Sequence, residues 1–298
     1  MKRVLPSLEE ALDSWLICPM CKGGLLYEAD RVRCGLCDQG YPVVDGIPDL
    51  RPPDARGAHL DQQIDYFTSL IARMGPYFLQ PWQRSYVERF VETFSGPAEG
   101  VVLDCGSGLG YMSIELARMG FDCIACDVTM AGLIRLRRLV SGMDLAGRVL
   151  PVCCDVEKLP LKTGIADRAV SISVLEHLAS DGQAVREMER VAAKEAGLMI
   201  SVPLKYRHRN PLFVPARYVY DRKVGHMRGY DEASLERMLA GWSLVRSYYI
   251  GHFAKTVAVV ANFLGKSGDT DKVEARDRNK EFKKYGANNV ACFFVRRN

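Results

Sequence analysis

Short apolar runs alternate with amphipathic stretches from residue 101 onward, and this alternation limits the possible folds more than any other feature. Strand patterns cover 101–104, 122–126, 149–153, 168–173, 197–202, 242–250 and 291–295. Helical patterns lie between most of them, at 111–118, 131–141, 183–193 and 232–239. Strands and helices that alternate with short connections form a mostly parallel sheet with helices on both faces. The sequence therefore predicts an α/β fold with seven strands, the last two forming a hairpin.

The first strand pattern runs into a glycine-rich turn. Asp104 precedes three glycines at alternate positions, Gly106, Gly108 and Gly110, and a helical pattern begins at Tyr111. Glycines let the backbone turn tightly and approach a ligand closely. The dinucleotide fingerprint GxGxxG is absent, because Tyr111 stands three residues after Gly108. The turn therefore indicates a ligand site that departs from NAD binding.

Polar residues also follow the next three strand patterns. Asp127 ends the second pattern, where a carboxylate can accept hydrogen bonds from both hydroxyls of a ribose. Asp155 follows the third, where it can accept from an adenine amino group or cap a turn. The fourth leads through Ser173 into a loop that contains His177. The carboxyl ends of these strands are thus candidates for one nucleoside site.

These four segments, in this order, resemble the class I S-adenosylmethionine-dependent methyltransferases. The shared pattern is VLDxGxGxG, an acid after the second strand, DxExLP after the third and SVLEH, residues 173–177, after the fourth. The resemblance covers 98–203 closely and extends more loosely to 298. It implies a Rossmann-like seven-stranded sheet with S-adenosylmethionine as the cofactor. The cofactor-binding residues that it implies are Asp104, Gly106, Gly108, Gly110, Asp127, Asp155, Val156 and Ser173.

Two CxxC pairs stand near the N-terminus. Cys18 and Cys21 are separated from Cys34 and Cys37 by 12 residues, and four thiolates at that spacing can close a tetrahedral Zn²⁺ site. A redox pair, an iron–sulfur cluster and a ribbon without metal are the alternatives. Because all four ligands are thiolates, no position stays open for catalysis. The pattern predicts a structural zinc ribbon.

Residues 16–52 resemble the small zinc-ribbon partner proteins that activate tRNA and translation-factor methyltransferases. A comparable ribbon precedes the catalytic domain of some rRNA guanine methyltransferases, where the fourth ligand is commonly His instead of Cys37. We therefore divide the chain into a zinc ribbon (1–52), a linker and helical cap (53–97), and a class I methyltransferase domain (98–298). The catalytic domain carries a substrate-side insertion at 203–230.

The insertion is basic and aromatic. Between 204 and 230, seven Lys and Arg residues stand against one acid, Asp221, and they are interleaved with Tyr206, Phe213, Tyr218 and Tyr220. Such a segment can grip RNA, or cover a phosphorylated or carboxylated metabolite, sugar or lipid head group. Residues 225–230 resemble the GHxR segment of small-molecule methyltransferases, which implies that His226 and Arg228 lie on the substrate side. With His177 they are the candidate catalytic residues, and His208 and Tyr230 are further candidate bases.

The leading hypothesis is methyl transfer to an oxygen or nitrogen of an anionic small or medium acceptor. The second is an rRNA or tRNA methyltransferase that holds RNA with its ribbon, although residues 173–176 lack the Asn-Pro-Pro-Tyr motif of such enzymes. The third is a non-catalytic cofactor-binding or zinc-ribbon interaction protein. The N-terminus carries no secretory pattern and the apolar run 253–264 is too short to span a bilayer, so we expect a cytoplasmic protein whose six other cysteines are core residues.

Overall fold

The computed structural model describes residues 8–28, 30–53, 58–95, 100–263 and 269–297, which form two sheets. The expected boundary at 97/98, between the helical cap and the methyltransferase domain, lies outside these residues. The small sheet follows α1 (Leu8–Ser14). Its antiparallel strands lie in chain order: β1 (Leu25–Glu28), β2 (Arg31–Cys34), β3 (Gly40–Val44) and β4 (Ile47–Pro48).

Seven strands form the large sheet: β5 (Val101–Cys105), β6 (Asp122–Asp127), β7 (Val149–Cys153), β8 (Ala166–Ile172), β9 (Ala192–Pro203), β10 (Trp242–Ile250) and β11 (Asn289–Arg296). Their order across the sheet is β10-β11-β9-β8-β5-β6-β7, and β11 runs antiparallel to both neighbours. The neighbouring pairs from β9 to β7 are parallel, because a helix or a longer connection returns the chain between them. The expected Rossmann-like seven-stranded sheet is confirmed.

Within the described ranges, nine further α-helices accompany this sheet: α2 (Ala58–Ala72), α3 (Pro81–Thr93), α4 (Tyr111–Met119), α5 (Met130–Gly142), α6 (Asp181–Val191), α7 (Val214–Lys223), α8 (Glu232–Met238), α9 (Phe253–Phe263) and α10 (Thr270–Arg278). Pro81 occupies the first turn of α3, where its missing N–H costs nothing. No helix in the described part of the chain combines the length and the apolar character needed to cross a membrane.

The last two strands pair as expected, but the prediction that a short hairpin turn connects them was wrong. Ile250 pairs with Asn289, so the strand ends do meet, but the chain between them forms α9 and α10. The apolar run that begins at Phe253 is therefore a helix. Because the two strand ends stay adjacent, this excursion leaves the pairing of β10 with β11 intact.

The core of the ribbon is continuous with the core on one face of the large sheet. Leu16, Tyr41 and Leu50 belong to the same buried cluster as Val152 and Leu161. The six cysteines outside the CxxC pairs are buried and unbridged, as expected for core residues: Cys105, Cys123, Cys126, Cys153, Cys154 and Cys292. The ribbon and the large sheet thus share one hydrophobic interior.

Candidate cofactor and acceptor site

The three acids expected to bind the cofactor lie at the same edge of the large sheet. β5, β6 and β7 are adjacent and parallel, so their carboxyl ends coincide. Asp104 is the penultimate residue of β5, Asp127 is the last residue of β6, and Asp155 follows β7 by two residues. This is the edge at which open α/β sheets bind ligands.

The glycines of the turn serve two different purposes. All three have positive φ, at 77° for Gly106, 55° for Gly108 and 72° for Gly110. A Cβ at Gly106 would lie 2.3 Å from Val174, and one at Gly110 would lie 2.4 Å from Leu136, so these two positions have no room for a side chain. A Cβ at Gly108 would meet no atom of the described residues within 4 Å. Gly108 therefore leaves space where a ligand can approach the backbone.

Hydrogen bonds hold the two buried acids of this edge. Asp127 accepts from the backbone N–H groups of Gly108 and Thr129, each at 2.7 Å. Asp104 accepts from the N–H and the hydroxyl of Ser113 at 3.2 and 2.7 Å. Burial raises the pKa of Asp104 to about 6. A cationic group brought to Asp104 would favour its charged form.

Asp155 caps the turn on the expected adenine side. Its carboxylate accepts from the N–H of Glu157 at 2.9 Å, which starts the 3₁₀ turn Val156–Lys158. The cap and the expected adenine contact are compatible, because a carboxylate has several acceptor sites. Val156 is buried beside it.

A strained residue directs the loop after β8 toward the glycine turn. Ser173 has a φ of 55°, and its N–H donates to Ser201 at 2.8 Å. Such a conformation is costly for a residue other than glycine and is common at functional sites. The bend places Val174 against Gly106 and leads into the 3₁₀ turn Leu175–His177. Glu176 in that turn is fully buried, which raises its pKa to about 8.

The structure brings two of the candidate catalytic residues together. The rings of His177 and His226 are 4.7 Å apart and nearly perpendicular. Nδ1 of His226 lies 3.0 Å from a carboxylate oxygen of Asp221, and Nε2 lies 3.9 Å from a carboxylate oxygen of Glu176. Asp221 thus orients the imidazole so that its other nitrogen faces the loop after β8.

Asp221 is itself held by several groups. It accepts from Arg209 at 2.7 Å and from the Tyr206 hydroxyl at 2.8 Å, and Arg217 lies 3.2 Å away. Burial opposes its ionisation, but the hydrogen bonds from His226 and Arg209 outweigh burial and hold its pKa well below the usual range. Asp221 was not among the sequence-derived site residues, although it is the only acid of the basic insertion.

The third candidate, Arg228, lies in segment 226–230, which contacts the loop after β8 and the start of α6. It forms an ion pair with Asp181 at 2.7 Å, and Tyr230 donates to Asp181 at the same distance. The N–H of Met227 donates to the carbonyl of Glu176 at 2.8 Å. His208 lies outside this group of contacts, and its ring nitrogen accepts a hydrogen bond from Arg207. Segment 226–230 is thereby fastened to the loop after β8.

Most cations of the insertion are engaged in ion pairs within the fold, although the paired cations share only three carboxylates. Five of its seven cations form ion pairs: Lys205 and Arg207 with Asp231, Arg209 and Arg217 with Asp221, and Arg228 with Asp181. Asp181 and Asp231 lie outside the stretch 204–230, so the local sequence overstates the free charge. The excess of positive charge is therefore weaker support for an anionic acceptor than the sequence indicated.

Helix α2 lies over this region. Gln63 donates to the carbonyl of Val224 at 3.2 Å, and the ring of Phe67 meets that of His177 edge-on at 5.9 Å. Ile71 lies 3.3 Å from the Cβ position of Gly132, at the start of α5. The helix therefore contacts both the insertion and the elements beside the glycine turn.

The CxxC pairs have the geometry of a zinc site. The four Sγ atoms lie within 4.8 Å of one another, with Cys18 to Cys37 at 3.7 Å and Cys21 to Cys34 at 3.4 Å. Zinc–sulfur bonds of about 2.3 Å in a tetrahedron place sulfurs about 3.8 Å apart. A Cβ at Gly23 would lie 2.7 Å from that of Leu36, so this turn needs glycine. The four thiolates fit one structural Zn²⁺.

The ribbon also contacts the cofactor edge. Arg51 forms an ion pair with Asp49 and donates to the carbonyl of Val128, the residue after Asp127, at 3.3 Å. The N–H of Ile17 donates to Pro160 at 2.9 Å, shortly after the turn that Asp155 caps. No sequence signal pointed to Arg51, because its partner is 77 residues away.

Comparisons with known proteins agree with these features. Residues 103–200 match the model of a methyltransferase domain. The chain is 29% identical over 125 residues to norajmaline N-methyltransferase of Rauvolfia serpentina, which corresponds to 41% of this chain and 42% of that protein. It thus spans less than half of that relative. The geranyl diphosphate C-methyltransferase of Streptomyces coelicolor A3(2) has the same fold, with a TM-score of 0.60 and 10% identity over 82% of this chain and 100% of that one.

The N-terminal segment has relatives of its own. Over 47 residues, 15% of this chain, it is 45% identical to a UPF0434 protein of Vibrio cholerae serotype O1, of which it covers 80%. The ribbon and the catalytic sheet thus match different proteins. The chain therefore contains a methyltransferase domain at residues 103–200, and its N-terminal segment belongs to the UPF0434 family.

Proposed function

We propose that this chain transfers a methyl group to an oxygen or nitrogen of a small or medium acceptor bound beside His177 and His226. One observation carries the proposal. These two residues, far apart in sequence, meet on the loop whose Val174 packs against Gly106 of the cofactor turn. An acceptor there would lie next to the expected cofactor position, as in-line transfer requires.

The chain's own residues suit activation of an acceptor at this place. S-adenosylmethionine, when bound, supplies the methyl group and the sulfonium leaving group. Asp221 fixes the tautomer of His226, which leaves Nε2 able to accept a proton. Arg228 is engaged by Asp181, which favours a positioning role for it over direct contact with the acceptor.

The acceptor we favour is an anionic metabolite, sugar or lipid head group. Among the described residues, Arg222 and Lys223 at the end of α7 form no ion pair with a carboxylate, and both are exposed. Exposed apolar side chains on the same helix, including Val219, are compatible with an amphipathic acceptor. An RNA acceptor would need more free cations than the insertion retains.

A labelled-methyl transfer assay on fractionated cell extract, with and without nuclease, tests this function. We expect label in a nuclease-resistant small-molecule or lipid fraction with the wild type and with Asp144→Asn, an exposed control. Asp127→Asn should abolish both the label and calorimetric binding of S-adenosylhomocysteine, because Asp127 lies at the proposed ribose site.

The other outcomes point elsewhere. Label that disappears with nuclease would replace this proposal by RNA methylation. Binding of S-adenosylhomocysteine without label in any fraction would contradict catalysis and favour a cofactor-binding interaction protein.

A further inference from the structure

Three side chains of the metal-ligating kind converge beside the cofactor turn. A carboxylate oxygen of Glu176 and one ring nitrogen each of His177 and His226 lie within 4.8 Å of one another. The first two are neighbours in the loop after β8, and His226 follows α7. Two imidazoles and one carboxylate are a ligand set that binds divalent transition-metal ions and leaves further coordination positions open.

Glu176 is the most unusual member of this cluster. It is 0% exposed, and in the described part of the chain neither carboxylate oxygen has a hydrogen bond of 3.5 Å or less, although the Ser173 side chain and the N–H of Glu176 itself interact with it more weakly. Burying a polar group without a partner costs free energy, and a fold normally avoids it. A cation bound at this carboxylate would compensate that cost.

His226 has the environment of a metal ligand. Metal-binding histidines usually donate their second ring N–H to a carboxylate, which fixes the ring and its tautomer. Nδ1 of His226 lies 3.0 Å from Asp221, and Nε2 faces Glu176. Asp221 is held in turn by Arg209 and Tyr206, so the outer layer of the site is already built.

We propose that Glu176, His177 and His226 bind one divalent transition-metal ion whose open positions face the acceptor. That the open positions face the acceptor rests on the proposed function. Ligand atoms about 2.1 Å from an ion lie roughly 3.0–3.4 Å apart, so binding would draw the three groups together by about 1 Å. Imidazole ligands favour ions such as Zn²⁺, Co²⁺ or Fe²⁺ over Mg²⁺ and Ca²⁺.

The proposed ion is distinct from the ribbon zinc. The ribbon offers four thiolates and no open position, whereas this cluster offers no sulfur. The full chain, purified with its ribbon zinc, can therefore be dialysed against Co²⁺ and analysed for both metals. We expect one zinc and one cobalt per chain, with a visible cobalt spectrum free of thiolate charge-transfer bands.

Variants assign the cobalt to its ligands. Glu176→Gln, His177→Asn and His226→Asn should each lower cobalt affinity at least about tenfold while zinc remains, and Asp221→Asn should lower it by about 10–100-fold as an outer-layer partner. His208→Asn, a histidine of the same insertion outside the cluster, should bind cobalt as the wild type does. Calorimetric binding of S-adenosylhomocysteine shows that each variant is folded.

The proposal is overturned if the wild type takes up no cobalt beyond the ribbon, or if the folded ligand variants bind it unchanged. If Glu176→Gln fails to fold, the cobalt affinities of His177→Asn and His226→Asn test the proposal instead. Cobalt uptake without methyl transfer to any fraction would contradict the proposed function and leave the metal site standing. Methyl transfer without cobalt uptake would contradict the metal site and leave the proposed function standing, with Nε2 of His226, which the ion would otherwise occupy, as the proton acceptor.

Discussion

The backbone N–H of Leu50 donates to the carbonyl oxygen of Cys153 at 2.7 Å. This bond joins the end of the ribbon to the edge strand β7, where Asp49 also forms a parallel bridge with Cys153. Leu50 is fully buried in the core that the ribbon shares with the catalytic sheet. The ribbon therefore extends the sheet and supports the strand that leads to Asp155.

Loss of the ribbon zinc should destabilise the whole chain. Because the two cores are continuous, we expect Cys37→Ser or a strong chelator to lower the single melting transition by about 10 °C, a loss of a few kcal/mol for a chain of this size. Differential scanning calorimetry measures this, with Asp38→Asn in the same turn as the control. An unchanged main transition beside a separate low-temperature one would show that the ribbon folds independently.

The glycines of the cofactor turn should differ in their tolerance of alanine. Gly110→Ala adds a methyl group 2.4 Å from Leu136 to the strain of a positive φ, so it should cost more than the strain alone, which is about 1–2 kcal/mol. Gly108→Ala meets open space and should cost only the strain, but it should weaken binding of S-adenosylhomocysteine. Urea unfolding and calorimetry separate the two effects. Equal losses of stability would contradict this assignment.

Asp104 should make stability fall as the pH rises. Burial raises its folded-state pKa to about 6, above the value of about 3.9 in an unfolded chain. The folded state therefore holds the proton more tightly, and stability should fall by on the order of 2 kcal/mol between about pH 4 and pH 7. Asp104→Asn should lack this contribution. The free energy of unfolding of the wild type should therefore fall relative to that of Asp104→Asn as the pH rises. Urea unfolding at several pH values checks this; parallel profiles would refute it.

Removal of the Asp221 charge should destabilise the insertion. Arg209 and Asp221 are both buried, so Asp221→Asn leaves a buried guanidinium without its counter-charge and should cost about 3 kcal/mol. The exposed neighbour offers a control, since Arg222→Gln should change stability by less than about 0.5 kcal/mol. Chemical denaturation gives both values. A loss below 1 kcal/mol for Asp221→Asn would mean that the buried Arg209 guanidinium does not depend on this carboxylate.

Patterns within short stretches of sequence were enough to predict the fold and the edge of the sheet at which the cofactor is expected to bind. Hydrophobic periodicity predicts the seven strands, and parallel strands must present their carboxyl ends together, so Asp104, Asp127 and Asp155 share an edge by topology. The CxxC spacing likewise predicts the sulfur cluster, because each pair is local and a single ion joins the two.

Contacts between distant segments could be found only in three dimensions. The pairing of His177 with His226, and the ion pairs of Asp181 and Asp231 that offset part of the insertion's charge, depend on how the chain after β9 folds back onto the loop after β8. Periodicity carries no information on such side-chain partners. The sequence by itself determined the layers of the fold and the residue types of the cofactor and zinc sites. Tertiary packing decided which charges are paired and which side chains meet beside the loop after β8, because burial and pairing are properties of the assembled chain.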